Sequence, residues 1–233
     1  MTVAAVILSA TPEGALREID GRPLVRRLVE AAWSGGAVPI VVVCADPDGA
    51  VAEALAGAKV TLAAPAPEAG GAVAQIVRGI DVARSSVVET DAAIIWPARM
   101  AWVDPETITS LIEAHGTDPE PLLRPSYDGD PGWPALLPVG QFEALRGLGH
   151  ERMPDELLDD LAASGAPTRT LEVGDPGTVN DVATDRADLP PYAGPPQPAS
   201  GHTYEWGAAA AEEADDAPLP GPTIAPWGPG PDD

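Results

Sequence analysis

Apolar residues in this chain cluster in short, nearly continuous runs that alternate with segments of helical periodicity. Such runs are typical of strands that are buried on both faces of a sheet. They predict strands at residues 3–8, 39–44, 60–64, 92–96, 122–127, 135–139 and 168–173. The segments with apolar residues three or four positions apart predict helices at residues 24–32, 48–55, 71–82, 104–115 and 154–164.

Capping residues support the predicted helix boundaries. Gly35 and Gly36 follow the helix at 24–32 and are typical of a C-terminal end. Asp104, Pro105 and Glu106 mark a helix start, because Asp caps, Pro fits the first turn and Glu favours the positive end of the helix dipole. We therefore expect the Asp104 side chain to cap this helix.

The order of strands and helices predicts the fold class. Regular alternation over the first half of the chain indicates an α/β protein with a three-layer α/β/α architecture, a mostly parallel, Rossmann-like sheet and right-handed crossovers. Ligands bind such sheets at the carboxyl ends of the strands. The loops after Leu8, Ala64 and Trp96 are therefore the candidate site, and we assign residues 1–189 to this domain.

The composition changes at about residue 190. Residues 190–233 hold eleven prolines, seven acidic residues and no Lys or Arg, and they show no apolar periodicity. Such a segment buries too little surface to offset its ordering entropy, so we predict a Pro/Gly/acidic tail that is disordered or extended. Its aromatic residues are either incidental or anchors for the domain or a partner; they are Tyr192, Tyr204, Trp206 and Trp227.

The charge excludes several classes of partner. The net charge is −23, with 36 acidic and 13 basic residues, so nucleic acid and anionic membranes would be repelled. Lys59 is the only lysine, and this scarcity of cations counts against phosphate chemistry.

Cys44 is the only cysteine, which excludes an internal disulfide and favours a buried thiol. With neither a signal peptide nor a membrane span in the pattern, we expect a cytoplasmic protein.

Five short segments carry a resemblance to a known family. They are Asp-Gly-Arg-Pro-Leu at 20–24, the helix at 71–80, Val-Asp-Pro-Glu-Thr at 103–107, the turn at 127–134 and Asn-Asp-Val-Ala-Thr at 180–184. In this order and spacing the chain resembles the molybdenum cofactor cytidylyltransferases and guanylyltransferases, the MobA-like NTP transferases of the nucleotidyltransferase fold. The resemblance covers about residues 3–190 and implies nucleotide binding at the strand ends.

The first departure from the family is the phosphate-binding loop. The family's loop is glycine-rich and carries an Arg and a Lys for the triphosphate. Here the loop is about six residues shorter, Gly14 stands at the lysine position and Glu13 adds a negative charge. The resemblance implies a vestigial nucleotide pocket to which this loop contributes Ser9, Ala10, Thr11 and Gly14, with Arg22 as a candidate cation. Gln75, Arg99 and Trp133 complete the predicted pocket.

The second departure concerns the metal. The resemblance implies a magnesium-binding Asp at the end of the fourth strand, where this chain has Arg99. An arginine cannot ligate Mg²⁺, although it could bind a phosphate directly. The family's other metal ligand corresponds to Asp181, and we expect Asp181 opposite Arg99 to form an ion pair rather than a metal site.

Two further substitutions lie in the helix at 71–80, which in the family helps to select the base, and in the turn at 127–134. Gln75 replaces a family Ser and Trp133 a family His. Trp133 either packs over the shortened loop, which we favour, or forms a platform for a base or pterin. On the helix at 154–164, Glu156 and Asp160 are four residues apart, and we interpret them with Asp159 as a solvated acidic face rather than a metal site.

Two functions remain open. The first is a non-catalytic accessory, regulatory or assembly protein, a pseudoenzyme with no cofactor that works through a protein partner or self-association. The second is an active transferase that uses Mg²⁺ and CTP or GTP to move CMP or GMP to a molybdopterin-type phosphorylated cofactor. The loop at residues 9–14 discriminates between them, because a loop that fills the pocket would exclude the transferase.

Overall fold

The computed structural model describes residues 1–195. Tyr204, Trp206 and Trp227 of the predicted tail lie outside the described residues. Within residues 1–195 the strands are β1 (Val3–Leu8), β2 (Glu18–Ile19), β3 (Arg22–Pro23), β4 (Ile40–Val43), β5 (Thr61–Ala63), β6 (Ala92–Pro97), β7 (Leu122–Tyr127), β8 (Asp130–Pro131), β9 (Ala135–Pro138) and β10 (Thr168–Glu172). The α-helices are α1 (Pro12–Leu16), α2 (Leu24–Ser34), α3 (Ala50–Ala54), α4 (Gly71–Ser86), α5 (Pro105–Thr117), α6 (Phe142–Arg146) and α7 (Pro154–Ala163).

The main sheet has the strand order β10-β7-β9-β6-β1-β4-β5, with β8 paired to β7. Neighbouring strands are parallel except at two places: β9 runs antiparallel to both β6 and β7, and the short strand β8 runs antiparallel to β7. Strands β2 and β3 form a separate antiparallel pair. The predicted α/β class with a mostly parallel sheet is therefore confirmed.

Helices cover both faces of this sheet. Helices α4, α6 and α7 contact one another, as do α2 and α5 on the other side. Strand β1 is central and almost fully buried, as its unbroken apolar run predicts. Helix α4 approaches β1 so closely that a Cβ on Gly79 would lie 2.2 Å from Val6 Cγ1, so only glycine fits there.

The start of α5 is capped differently from the prediction. Asp104 occupies the N-cap position, but its side chain makes no capping hydrogen bond. The carboxylate of Asp175 replaces it, accepting the Asp104 backbone N–H at 2.9 Å and the Thr107 hydroxyl at 2.7 Å. A short 3₁₀ turn after β10, Pro176–Thr178, is thereby joined to α5.

The acidic face of α7 is not simply solvated. Asp159 forms an ion pair with Arg124 at 3.1 Å, and Asp160 forms one with Arg152 at 3.0 Å. Glu156 accepts the backbone N–H of Met153 at 2.9 Å. These contacts join the exposed side of α7 to neighbouring segments, while its leucines pack inward.

The last described residues lie against the domain. The backbone N–H of Ala193 donates to the carbonyl of Gly174 at 2.8 Å, and Tyr192 is half-buried. The predicted domain boundary at residue 189 stays a prediction. Cys44 is free and buried. No helix within residues 1–195 combines the length and apolar character that a membrane crossing requires.

Candidate ligand-binding site

A cavity of about 810 Å³ lies where the central strands end. Leu8 of β1, Val43 of β4 and Pro97 of β6 line it from below. The loop before α4 and the residue Pro154 at the start of α7 form its sides. This is the carboxyl edge of the parallel strands, where the sequence places the site.

The first loop forms a wall of the cavity and leaves the cavity open. Ser9, Ala10, Thr11 and Gly14 all line it. The Ser9 hydroxyl donates to the Thr11 carbonyl at 3.0 Å, and the Thr11 hydroxyl accepts the Gly14 N–H at 3.1 Å. The second of these bonds caps the short helix α1, and both hold the loop folded back on itself, where it lines the cavity instead of filling it.

Arg17 is a cavity residue that the sequence analysis missed. It follows α1 directly and lines the same cavity. Its guanidinium group has no hydrogen-bond or ion-pair partner among residues 1–195, whereas Arg99 is engaged. No sequence motif indicates this position, because only the tight turn of α1 brings Arg17 back to the loop that precedes the helix.

Arg99 lies at the edge of the cavity, just after β6. One of its guanidinium nitrogens is 3.0 Å from a carboxylate oxygen of Asp155, at the start of α7. The indole N–H of Trp133 donates to the other oxygen of Asp155. The expectation of an Arg99–Asp181 ion pair was therefore wrong, since the partner of Arg99 is Asp155.

Asp181 has another function in the structure. Its carboxylate accepts the Ala183 N–H at 2.8 Å, and its carbonyl accepts the Trp102 indole N–H at 3.1 Å. Its neighbour Val182 lines the cavity and donates its N–H to the Arg99 carbonyl at 2.8 Å. No group of three or more His, Cys, Asp or Glu side chains in the described part of the chain is arranged to hold a metal. The donor set around Arg99 does not fit Mg²⁺, which needs several oxygen ligands.

The remaining predicted site residues divide between the cavity and its surroundings. Gln75 lines the cavity, and its amide group accepts the Ala66 N–H at 2.8 Å and donates to the Ala66 carbonyl at 2.9 Å. Arg22 lies outside it, 67% exposed, in an ion pair with Glu30. Trp133 is only 3% exposed, so it packs inside the domain and presents no open ring face to a base. Its predicted position over the shortened loop stays a prediction.

The charges that line the cavity are few. Arg17 and Arg99 are positive and Glu68 is negative, while most of the other lining residues are apolar. Because Arg99 is paired with Asp155, Arg17 is the one cavity cation without a counter-ion among residues 1–195. The site can therefore bind an apolar body with an anionic group, but it offers little compensation for several negative charges.

A second group of ionisable residues lies outside the cavity, beneath the start of α5. Burial raises the pKa of Asp175 to about 6, although hydrogen bonds from Thr107 and the Asp104 backbone favour its ionised form. Burial also raises the pKa of Glu106, whose Oε2 has no hydrogen-bond partner in the described residues. Burial and the nearby Glu106 and Asp175 carboxylates raise the pKa of Tyr192 to about 12. We therefore expect the stability of the domain to depend on pH through this group.

Gly71, a residue of the cavity lining, lies in close contact with the backbone of the loop before α7. Its φ is +58°, and a Cβ there would lie 1.8 Å from the His150 carbonyl oxygen. We expect Gly71→Ala to lower the free energy of unfolding by about 2 kcal/mol, through backbone strain and this clash. Urea denaturation measures the change, and Gly147→Ala is the control. Gly147 has a φ of −82° and only ordinary contacts. Equal effects of the two substitutions would contradict the close approach.

Comparison with known proteins identifies the class. The fold is similar to that of a nucleotidyl transferase from Methanothermobacter, with 18% identity, a TM-score of 0.65, and coverage of 78% of this chain and 91% of that one. It is also similar to 2-C-methyl-D-erythritol 4-phosphate cytidylyltransferase from Thermus thermophilus, with 15% identity, a TM-score of 0.57 and coverage of 81% and 96%. At these identities the likeness shows the fold alone: a three-layer nucleotidyltransferase fold.

The family follows from the sequence. A family model described as the MobA-like NTP transferase domain matches residues 13–165. The chain therefore belongs to the MobA-like NTP transferase family, as its motifs indicated. A comparison with curated proteins finds no significant match.

Proposed function

We propose that this protein is a nucleotidyltransferase-like protein that has lost metal-dependent transfer. It keeps the cavity as a ligand-binding site and works as an accessory or interaction protein. The observation that carries this proposal is the ion pair between Arg99 and Asp155 at the position where the family resemblance implies a magnesium ligand.

Two features of the cavity support the loss of catalysis. The guanidinium of Arg99 would repel a divalent cation, and its partner Asp155 is held by Arg99 and Trp133. The first loop contributes hydroxyls and backbone groups but no cation, apart from Arg17 beyond α1. Loss of one preorganised donor costs roughly 10²–10³ in rate, so loss of the metal ligand and of the loop cations together would leave little turnover.

The proposal includes a protein partner or self-association and a cytoplasmic location. Exposed apolar side chains near the amino-terminal ends of the parallel strands, opposite the cavity, support a contact surface there. Met1 is 69% exposed and Val88 is 80% exposed. Val38 is exposed at this same end of the sheet, where its N–H donates to Val3 at the start of β1.

The open cavity favours a second candidate function, an active transferase that moves CMP or GMP to a molybdopterin-type phosphorylated cofactor. The loop at residues 9–14 lines the cavity instead of filling it, so there is space for a ligand. In this alternative Arg17 and Arg99 would have to neutralise the charge on the departing pyrophosphate, without the metal ligands of the family.

Pyrophosphate release tests the proposal. With CTP or GTP, Mg²⁺ and a phosphorylated acceptor, we expect no release above the protein-free background. The matched control is Arg99→Gln, prepared in the same way. Release by the natural protein that the Arg99→Gln variant loses would overturn the proposal in favour of the active transferase. Equal release by both proteins would also overturn the proposal, because it would show turnover that does not depend on Arg99.

A further inference from the structure

The charges in the cavity point to one class of ligand. We propose that the cavity takes a small molecule that carries a single phosphate group, and that Arg17 holds this phosphate without a metal ion. This inference rests on the proposed function, because it names the ligand of the same cavity. It differs from the metal-bound nucleoside triphosphate that an active transferase would bind.

Arg17 is placed to bind a phosphate. It lines the cavity beside Ser9 and Thr11, and its guanidinium has no partner among residues 1–195. A guanidinium group offers a planar pair of N–H donors that matches two phosphate oxygens. A bound phosphate would therefore form bonds to Arg17 without breaking an existing ion pair.

The same cavity is poorly suited to a triphosphate. A single phosphate group carries about −1.5 to −2 at pH 7, and each further phosphate adds negative charge. Arg99 is paired with Asp155, and Glu68 contributes a negative charge to the lining. Within residues 1–195 no group of His, Cys, Asp or Glu side chains is arranged to hold a metal, so no bound cation would offset the charge of a longer phosphate chain.

The rest of the cavity suits an apolar body. Leu8, Leu24, Val43 and Ala98 line it, and its volume of about 810 Å³ is sufficient for a molecule of nucleotide size. The amide of Gln75 is fully engaged by the Ala66 backbone, so it offers no free group to read the edge of a base. We therefore expect binding of monophosphates with little preference between cytosine and guanine.

Calorimetric titration tests this inference. The probes are CMP, GMP, CTP, GTP and inorganic phosphate, each with Mg²⁺ and each with EDTA. We expect CMP and GMP to bind at least as tightly as CTP and GTP, with affinities that change less than about twofold between Mg²⁺ and EDTA. Equal affinity for inorganic phosphate would also support the phosphate site, but would show that the nucleoside contributes nothing.

The variant Arg17→Gln supplies the matched test. Loss of a hydrogen-bonded charge should weaken CMP and GMP binding about tenfold or more. Arg84→Gln is the control, because it makes the same charge change at the far end of α4. Thermal unfolding of both variants checks that they are folded.

Three outcomes would overturn the inference. They are nucleotide binding that requires Mg²⁺ and ranks the triphosphates first, equal binding by the Arg17→Gln variant and the natural protein, and no binding of any probe. These outcomes are distinguishable from failure of the proposed function. That failure would be observed as pyrophosphate release, whereas these outcomes are observed in the affinities of the probes.

Discussion

Replacing Trp96 by alanine should lower the free energy of unfolding by about 3–5 kcal/mol. Trp96 is the penultimate residue of β6, fully buried, and its indole N–H donates to the Met100 carbonyl at 3.0 Å. The substitution removes the largest fully buried side chain of the described residues and leaves a cavity beneath the turn that carries Arg99. Urea denaturation followed by circular dichroism measures the loss.

Trp96→Phe separates packing from the hydrogen bond. Phenylalanine retains most of the apolar surface but has no N–H, so the Met100 carbonyl loses its donor. We expect a loss of about 1–2 kcal/mol, well below that of alanine. A cost for phenylalanine equal to that for alanine would show that the hydrogen bond, and not packing, dominates at this position.

Replacing Asp175 by alanine should be the second most damaging change, at about 3 kcal/mol at pH 5. The Asp175 side chain is 1% exposed and accepts hydrogen bonds from the backbone N–H groups of Asp104 and Gly177 and from the Thr107 hydroxyl. Alanine leaves these buried donors without an acceptor. The change also disconnects the turn after β10 from the start of α5.

The cost of this substitution should decrease as the pH rises. The pKa of Asp175 in the folded protein is about 6, above its ordinary value of 3.8. The stabilisation linked to its proton is therefore fully present below pH 3.8 and is lost as the pH rises through 6. Because pH 5 lies one unit below the folded pKa, the alanine variant should cost about 1.4 kcal/mol more at pH 5 than at pH 7.5.

Urea denaturation of the natural protein and the alanine variant at both pH values gives this difference. Other groups with shifted pKa values, including His115 and Glu106, contribute to both proteins and largely cancel in the comparison. A cost that is constant or rises with pH would mean that the hydrogen bonds to Asp175 outweigh its burial.

Most of the sheet could be predicted from sequence because its strands are short apolar runs. The alternation of apolar runs and helical segments from β1 to β6 predicts the α/β class, and the structure confirms this class. The antiparallel direction of β9 could not be predicted, because its apolar run 135–138 would look the same in either direction. Likewise, Asp104 has the right residue type for a cap, but the capping carboxylate comes from Asp175, which only the tertiary fold brings near.

The candidate site was predicted in part. Counting along the chain placed Arg99 at the end of β6, where it lies. Its partner Asp155 could not be inferred, since 56 residues separate them and α7 carries several other acidic residues. Arg22 belongs to a recognisable motif but lies outside the cavity, whereas Arg17 belongs to no motif and lines it. A motif predicts where the backbone lies in the fold. The direction of a long side chain depends on the local turns, which the motif does not predict.

The central position of β1 has a consequence for how the chain folds while it is being synthesised. β1 is synthesised well before its partner strand β6 at residues 92–97, and longer still before the cavity residue Val182. A nascent chain therefore carries an unpaired, wholly apolar strand for a long period, during which it depends on protection from aggregation. The part of the chain that matches the family, residues 13–165, includes neither β1 nor Val182. The proposed ligand site is therefore complete only when the whole domain has been synthesised, and not when its central sheet alone has formed.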